Sequence, residues 1–308
     1  MSHELILHHY DYSSFSEKIR LVFGLKSLAW RSVIIPAVAP KPNLTPLTGG
    51  YRRTPVLQIG ADIYCDTALI ARELERRFPT PTLFPANQRG LTAAIAMWIE
   101  EPFFWPMARY VTGRNAEKAG AQFHADRAAM RGRPDPGIER IKQDADKQLP
   151  AMRIQFAWLD DMLADGRKFM LGEQPGLLDF TCYHAVWFLD GFEPDTWPGL
   201  ADYRHIMAWR KRVAAIGHGT RREMEPQEAL EIARNATPAT PPPSPAAPPE
   251  CRLEGRIGIR ATDNSQEIVV GEVVYCDVDE VALARRDGIV GDVIVHFPRN
   301  KYSIRPAG

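Results

Sequence analysis

Seven of the chain's 26 prolines fall within residues 235–250, in the run Asn-Ala-Thr-Pro-Ala-Thr-Pro-Pro-Pro-Ser-Pro-Ala-Ala-Pro-Pro-Glu. Proline fixes φ and lacks a backbone donor, so this stretch builds neither a helix interior nor a central strand. It reads as an extended, semi-rigid linker over residues 233–250. The linker divides the 308 residues into a body and a C-terminal module, residues 251–308. At ~100–200 residues per domain, the body has room for two domains of its own. The module is near the lower limit for independent folding, so docking on the body is expected.

Charge narrows the partners. Thirty-eight basic residues balance 38 acidic ones, which argues against a nucleic-acid binder that works through a bulk basic field. No run approaches ~18 apolar residues, and no basic n-region precedes an apolar stretch, so neither a membrane span nor a secretory signal is expected. Cys65, Cys182, Cys251 and Cys276 are scattered, and no Cys-x-x-Cys spacing suggests a metal site or disulfide framework. The expectation is a cytoplasmic protein with no metal, no nucleic acid and no membrane partner.

The body changes character along its length. Through residues 1–85 strand and helix alternate: strand at Leu5–Tyr10, helix at Phe15–Leu25, strand at Trp30–Ile35, a Pro-rich loop from Pro36 to Arg53, a hairpin around Gly60-Ala61, and helix again at Thr67–Phe78. Residues 90–232 show almost wholly helical spacing. The module carries β-branched runs at residues 256–262, 268–275 and 290–297, bounded by turn signals, which predict short strands. The expected class is an α/β domain, then an all-α domain, then a small β-rich module.

Three segments carry the chemistry. Ser13-Ser14-Phe15-Ser16-Glu17-Lys18-Ile19-Arg20 joins the first strand to the first helix, Arg53-Thr54-Pro55-Val56-Leu57 enters a strand, and Cys65-Asp66-Thr67-Ala68-Leu69-Ile70 opens a helix. In that order they resemble the thioredoxin-like domain of glutathione transferases, and the serine run is similar to the active-site motif of the zeta, tau and related classes. The resemblance extends more loosely through the helical segment and does not cover the module.

Ser14 and Glu17 stand at capping-box spacing, which makes Ser14 the expected cap and puts Ser13 just outside the helix at its positive end. The resemblance implies that Ser13 donates to the glutathione sulfur and stabilises the thiolate. Ser16, Tyr10 and Tyr12 are alternatives. It further implies a cis Thr54–Pro55 peptide, pairing of Val56 with the cysteinyl backbone, and contact of Arg53 with the glycyl carboxylate, for which Arg52 would serve equally. Asp66 and Thr67 would hold the γ-glutamyl end. A helix N-terminus also suits that use, because its free N–H groups bind anions. Asp66-Thr67 fits a cap as well. Gly176 and Asp179 resemble the family's helical capping segment, and Asp179 reads as structural. Trp98, Glu100, Glu101, Phe103, Phe104, Trp105 and Tyr110 would face an apolar second substrate, or simply build a core helix or a dimer interface, and the glutamate pair reads as solvated. His8 and His9 have no metal-ligand spacing.

The implied activity is attack of a glutathione thiolate on an apolar electrophile, with an isomerase or lyase variant possible. Glutathione is the co-substrate, and a homodimer is implied through the Asp66–Phe78 helix and the helical domain. The alternative is a non-catalytic scaffold of the same fold that recruits a partner through the β-module.

Overall fold

The computed structural model describes residues 4–192, 198–239, 255–263 and 265–307. Most of the proline run therefore lies outside the described residues, as does Cys251. The N-terminal elements are β1 (Ile6–His9), α1 (Ser14–Leu25), β2 (Ala29–Ile34), a short α2 (Thr45–Thr48) inside the Pro-rich loop, β3 (Val56–Ile59), β4 (Asp62–Cys65) and α3 (Thr67–Arg77). β2 runs parallel to β1, while β3 is antiparallel to both β1 and β4. Successive side chains of a strand face opposite sides. Leu7 and Leu57 accordingly enter the core beneath α1 and α3, and Ile6 and Val56 enter a second core on the other face. Every residue of β1, β3 and β4 is buried.

The helical segment comprises α4 (Arg89–Trp98), α5 (Phe104–Arg114), α6 (Ala116–Ala119), α7 (Ala121–Met130), α8 (Ile138–Ala145), α9 (Leu149–Asp161), α10 (Leu177–Phe192) and α11 (Arg204–Ala214). None of the described helices is long and apolar enough to cross a membrane. A π-type turn, Ile99–Phe103, joins α4 to α5 and contains Pro102. Proline removes a helix hydrogen bond and clashes with the preceding turn, which accounts for the widened backbone there. Asp179 at the start of α10 accepts from Met170 N at 2.8 Å, Gly176 N at 3.0 Å and Trp209 Nε1 at 2.8 Å, so it is a structural anchor as expected.

The helical periodicity hides one strand. β5 (Thr220–Glu223) follows α11 and pairs in parallel with β2, and α12 (Pro226–Asn235) then packs on the second core. Gln58 Nε2 donates to the Ala229 carbonyl at 2.8 Å across that contact.

The module contains β6 (Arg256–Ala261), β7 (Val269–Cys276), β8 (Glu280–Asp287), β9 (Gly291–Pro298) and β10 (Tyr302–Pro306). It docks by strand addition: β9 pairs in parallel with β4, with Asp62 opposite Ile294 and Tyr64 opposite His296. The described strands thus form one ten-stranded sheet in the order β10-β6-β7-β8-β9-β4-β3-β1-β2-β5. Val281, Leu283, Val295 and Phe297 join Ile6, Val56 and Ile63 in the second core. Each fully buried side chain of this kind contributes about 1.5–3 kcal/mol.

Candidate active site

Ser13 itself is the cap of α1. Its backbone is extended (φ −78°, ψ 116°), and its Oγ accepts from Ser16 N at 3.2 Å. This corrects the expectation for Ser14, which is the first helical residue. Glu17, the presumed partner of that box, is instead held by Arg20 at 2.8 Å and His218 at 2.9 Å. Burial alone would raise the Glu17 carboxyl, but these two partners hold it below its ordinary value. A hydroxyl that accepts one N–H still has its own O–H to donate, so the capping geometry leaves Ser13 able to meet an anion. Ser16 is buried inside α1, and its Oγ has no partner among the described residues. Tyr10 and Tyr12 lie against each other with ring centroids 4.6 Å apart.

Asp66 and Thr67 stand at the N-terminus of α3. Asp66 has φ 76° and ψ 137°, a backbone region that side chains avoid, and its Oδ1 accepts from Ala68 N at 2.9 Å. Such positions cost of order 1–3 kcal/mol and cluster at functional sites. Lys18 of α1 donates to Thr67 Oγ1 at 3.4 Å and to Glu100 Oε1 at 2.7 Å. Burial would raise Glu100, but Lys18 overrides it and holds the carboxyl at about 2. Asp66 moves the opposite way: burial and the neighbouring Glu100 charge raise it, against Ala68 N–H, Lys18 and Lys301. Glu100 is therefore no solvated surface residue, whereas Glu101 beside it is exposed, as expected of a solvated glutamate. The π-type turn delivers Glu100 to a buried cation beside the α3 N-terminus.

The module reaches the same place. Tyr302 Oη lies 3.3 Å from Asp66 Oδ2 and 3.3 Å from Tyr51 Oη. Lys301 Nζ lies 3.5 Å from Glu100 and 3.3 Å from Glu101.

The Thr54–Pro55 peptide is cis. Lys41 Nζ donates to Thr54 Oγ1 at 3.1 Å. Burial, with Arg127 and Arg52 nearby, lowers the Lys41 amine to about 7. Arg53 pairs with Asp263 of the module at 2.5 Å, while Arg52 pairs with Asp126 at 2.7 Å and with Glu267 of the module at 3.2 Å.

Of the expected second-substrate wall, Phe103, Phe104 and Tyr110 are core residues. Phe104 packs against Phe15 and against His184, which is itself buried with neither ring nitrogen partnered among the described residues. Burial and the nearby Lys18 lower His184 to about 3, so it is neutral. His8 and His9 are buried hydrogen-bonded core residues, on Gln58 Oε1 at 2.8 Å and Ser32 Oγ at 3.0 Å. Among the described residues no group of His, Cys, Asp or Glu is placed to hold a metal ion.

The roles of Lys18, Lys41, Lys301 and Tyr302 escaped the sequence reading, and Glu100, named there, was taken as solvated rather than as the partner of Lys18. Two signals were present. Lys18 shares a helix face with Leu21 and Val22, and a charge on an apolar face calls for a buried counter-charge. Pro102 within a helical pattern marks a local break.

A thioredoxin-like sheet, a helical domain on one face, and ligand-type groups gathered at two helix N-termini define the protein class. The glutathione S-transferase N-terminal domain model matches residues 7–82, and the C-terminal domain model matches residues 137–212. A GST-like protein from Pseudomonas syringae is 38% identical over 100% of both chains, with a TM-score of 0.80. A glutathione S-transferase from Rhodospirillum rubrum F11 shares the fold at 18% identity, covering 68% of this chain and 88% of its own, with a TM-score of 0.52. The beta-etherase LigF from Sphingobium sp. strain SYK-6 does so at 18% identity, covering 68% and 95%, with a TM-score of 0.53. No curated protein matches. The chain belongs to the glutathione transferase family.

Proposed function

We propose that the protein is a glutathione transferase in which Ser13 Oγ–H donates to the glutathione sulfur and stabilises its thiolate. The α1 N-terminus adds about 0.3–1 kcal/mol toward the anion. The thiolate then forms a bond to an electrophilic carbon as the leaving group departs with its electron pair. Thr67, the α3 N–H groups and Lys18 suit the γ-glutamyl carboxylate, and Asp66 and Glu100 suit its ammonium. Arg53, Thr54, Pro55 and Val56 complete the proposed glutathione site. The observation that carries this reading is the gathering of Asp66, Thr67, Lys18 and Glu100 at one helix end. Both signs of charge are present there, as a zwitterion requires.

The proposal places the enzyme in the cytoplasm as a homodimer. Arg72 on α3 is engaged by Asp277 and Asp279 of the module, so the proposed dimer contact uses the exposed Met97, Ile154 and Trp158 of the helical domain. Sedimentation velocity checks it; a monomer at micromolar concentration contradicts it.

One observation favours the scaffold reading: Arg53 and Asp66 already have partners in the module. Calorimetric titration with glutathione and turnover of chlorodinitrobenzene separate the two. Binding with chloride release supports the enzyme. Absence of both at millimolar glutathione supports the scaffold.

A further inference from the structure

The proposed tripeptide site has an acidic end and a basic end, and the module meets both with the complementary charge. At the acidic end, the turn between β9 and β10 brings the Lys301 ammonium to 3.5 Å from Glu100 and 3.3 Å from Glu101, and the Tyr302 hydroxyl to Asp66. At the basic end, Asp263 places a carboxylate on Arg53 at 2.5 Å. A γ-glutamyl peptide presents the same order: an ammonium at one end and a glycyl carboxylate at the other.

The placement is well supported. Tyr302 is buried against Tyr51 and Phe297, with ring centroids of Phe297 and Tyr302 5.7 Å apart. Lys301 takes a left-handed backbone (φ 67°), which turns the chain between the two strands. Thr262 N, next to Asp263, donates to the Lys301 carbonyl at 2.9 Å, so the two charged ends are tied through the module's own backbone.

We propose that the C-terminal module is an intramolecular occupant of the glutathione site, with Lys301 standing for the ligand's ammonium and Asp263 for its terminal carboxylate. The proposal rests on the assignment of Asp66, Thr67 and Arg53 to glutathione. Free glutathione must displace these contacts, so its apparent affinity is reduced by the fraction of molecules in which the turn is released.

The test uses the full-length protein. Glutathione is titrated calorimetrically into wild type, Lys301→Gln and Lys301→Gln/Asp263→Asn, each shown folded by its melting transition. Competition predicts stepwise tighter binding, about tenfold in the double variant if the two contacts close the site nine times in ten. Hydrogen exchange on the wild type provides a second measurement that needs no variant: saturating glutathione should raise exchange in residues 299–304. Unchanged or weaker binding in the variants, or protection of residues 299–304 by glutathione, overturns the occupant and leaves the glutathione site standing. If no folded form binds, the glutathione assignment itself fails.

Discussion

Replacing Ser13 tests the cap it forms together with the donor role proposed for the same hydroxyl. As cap, its Oγ satisfies Ser16 N. Loss of a serine cap to alanine costs ~1 kcal/mol, whereas glycine at the same position costs only a few tenths. For a domain of this size ~1 kcal/mol lowers the melting temperature by about 2–4 °C. As the proposed donor to a thiolate, the same hydroxyl would make a charge-assisted hydrogen bond worth about 1.5–3 kcal/mol. That corresponds to about 10–150-fold in rate at neutral pH, at 1.36 kcal/mol per decade. Ser13→Ala should therefore lose both stability and turnover, and Ser13→Gly should lose turnover while melting almost as wild type does. In both, the rise of kcat/KM with pH should move up by about 1–2 pH units, because the bound thiol is no longer held in its anionic form. The assay is kcat/KM for chlorodinitrobenzene across pH, with calorimetric melts of the same samples. Wild-type turnover in Ser13→Gly would refute the donor role and leave Ser13 a cap alone.

Three further outcomes follow from the same geometry. His296 is buried between Asp62 at 3.2 Å and Glu280 at 2.7 Å and stacks on Tyr64; burial lowers its pKa, but the two carboxylates outweigh that and raise it above 6.5. A raised histidine stabilises fully below its unfolded value and loses that contribution as pH rises through the folded one, so β9 amides should exchange faster at pH 9 than at pH 6 after correction for intrinsic rates, and equal protection would contradict this. Asp179→Ala strands three buried N–H donors at ~1–3 kcal/mol each, a loss of at least about 3 kcal/mol in urea unfolding, with Asp179→Asn milder because Oδ1 still serves two of them. Lys18→Met leaves Glu100 buried without its nearest cation and should cost about 3–5 kcal/mol, while Lys18→Met with Glu100→Leu recovers most of it; a double variant no better than the single would show that the pair itself supplies net stability.

The parts of the fold legible in the sequence are those set by neighbouring residues. The apolar stripe Ile19, Val22, Phe23 specified α1, Gly60-Ala61 placed the β3–β4 turn, and Asp66-Thr67 opened α3 where capping preference says it should. The cap of α1 was misplaced by one residue because Ser13 and Ser14 offer two registers, Ser14-x-x-Glu17 and Ser13-x-x-Ser16, and only the fold, by pairing Glu17 with Arg20 and His218, decides between them. β5 was hidden because all four of its residues are exposed at the sheet's far edge, which leaves no apolar alternation to read. β8 carries Glu280, Arg285, Arg286 and Asp287 among its eight residues, so its strand pattern was equally weak. The site's unforeseen pairings, Lys18 with Glu100 and Arg53 with Asp263, join residues far apart in sequence, and no local pattern encodes such a pair.

The direction of one strand explains why the module and the site meet at all. The four strands of the N-terminal domain leave two edges, β2 and β4, and open edges invite pairing with other chains. β5 closes the first and β9 closes the second. Because β9 lies parallel to β4, both strands advance toward the same end of the sheet: β4 runs from Asp62 to Cys65 and delivers Asp66, while β9 runs past Ile294 and His296 and delivers the Arg299–Tyr302 turn. An antiparallel β9 would have carried that turn to Gly60-Ala61 instead, away from α3. Edge protection and occupation of the proposed ligand site are thus consequences of one register, and whatever loosens β9 from β4 withdraws Lys301 and Tyr302 together. The His296 contacts to Asp62 and Glu280 sit in that seam, so module docking and ligand access share one equilibrium. S-methylglutathione has no thiol to titrate, so the change of its affinity with pH reports the protein alone, and Lys41 beside Thr54 contributes equally in wild type and in a His296→Gln variant. The ratio of wild-type to His296→Gln affinity should therefore rise with pH through the His296 transition, and a ratio independent of pH would separate docking from access and refute the coupling.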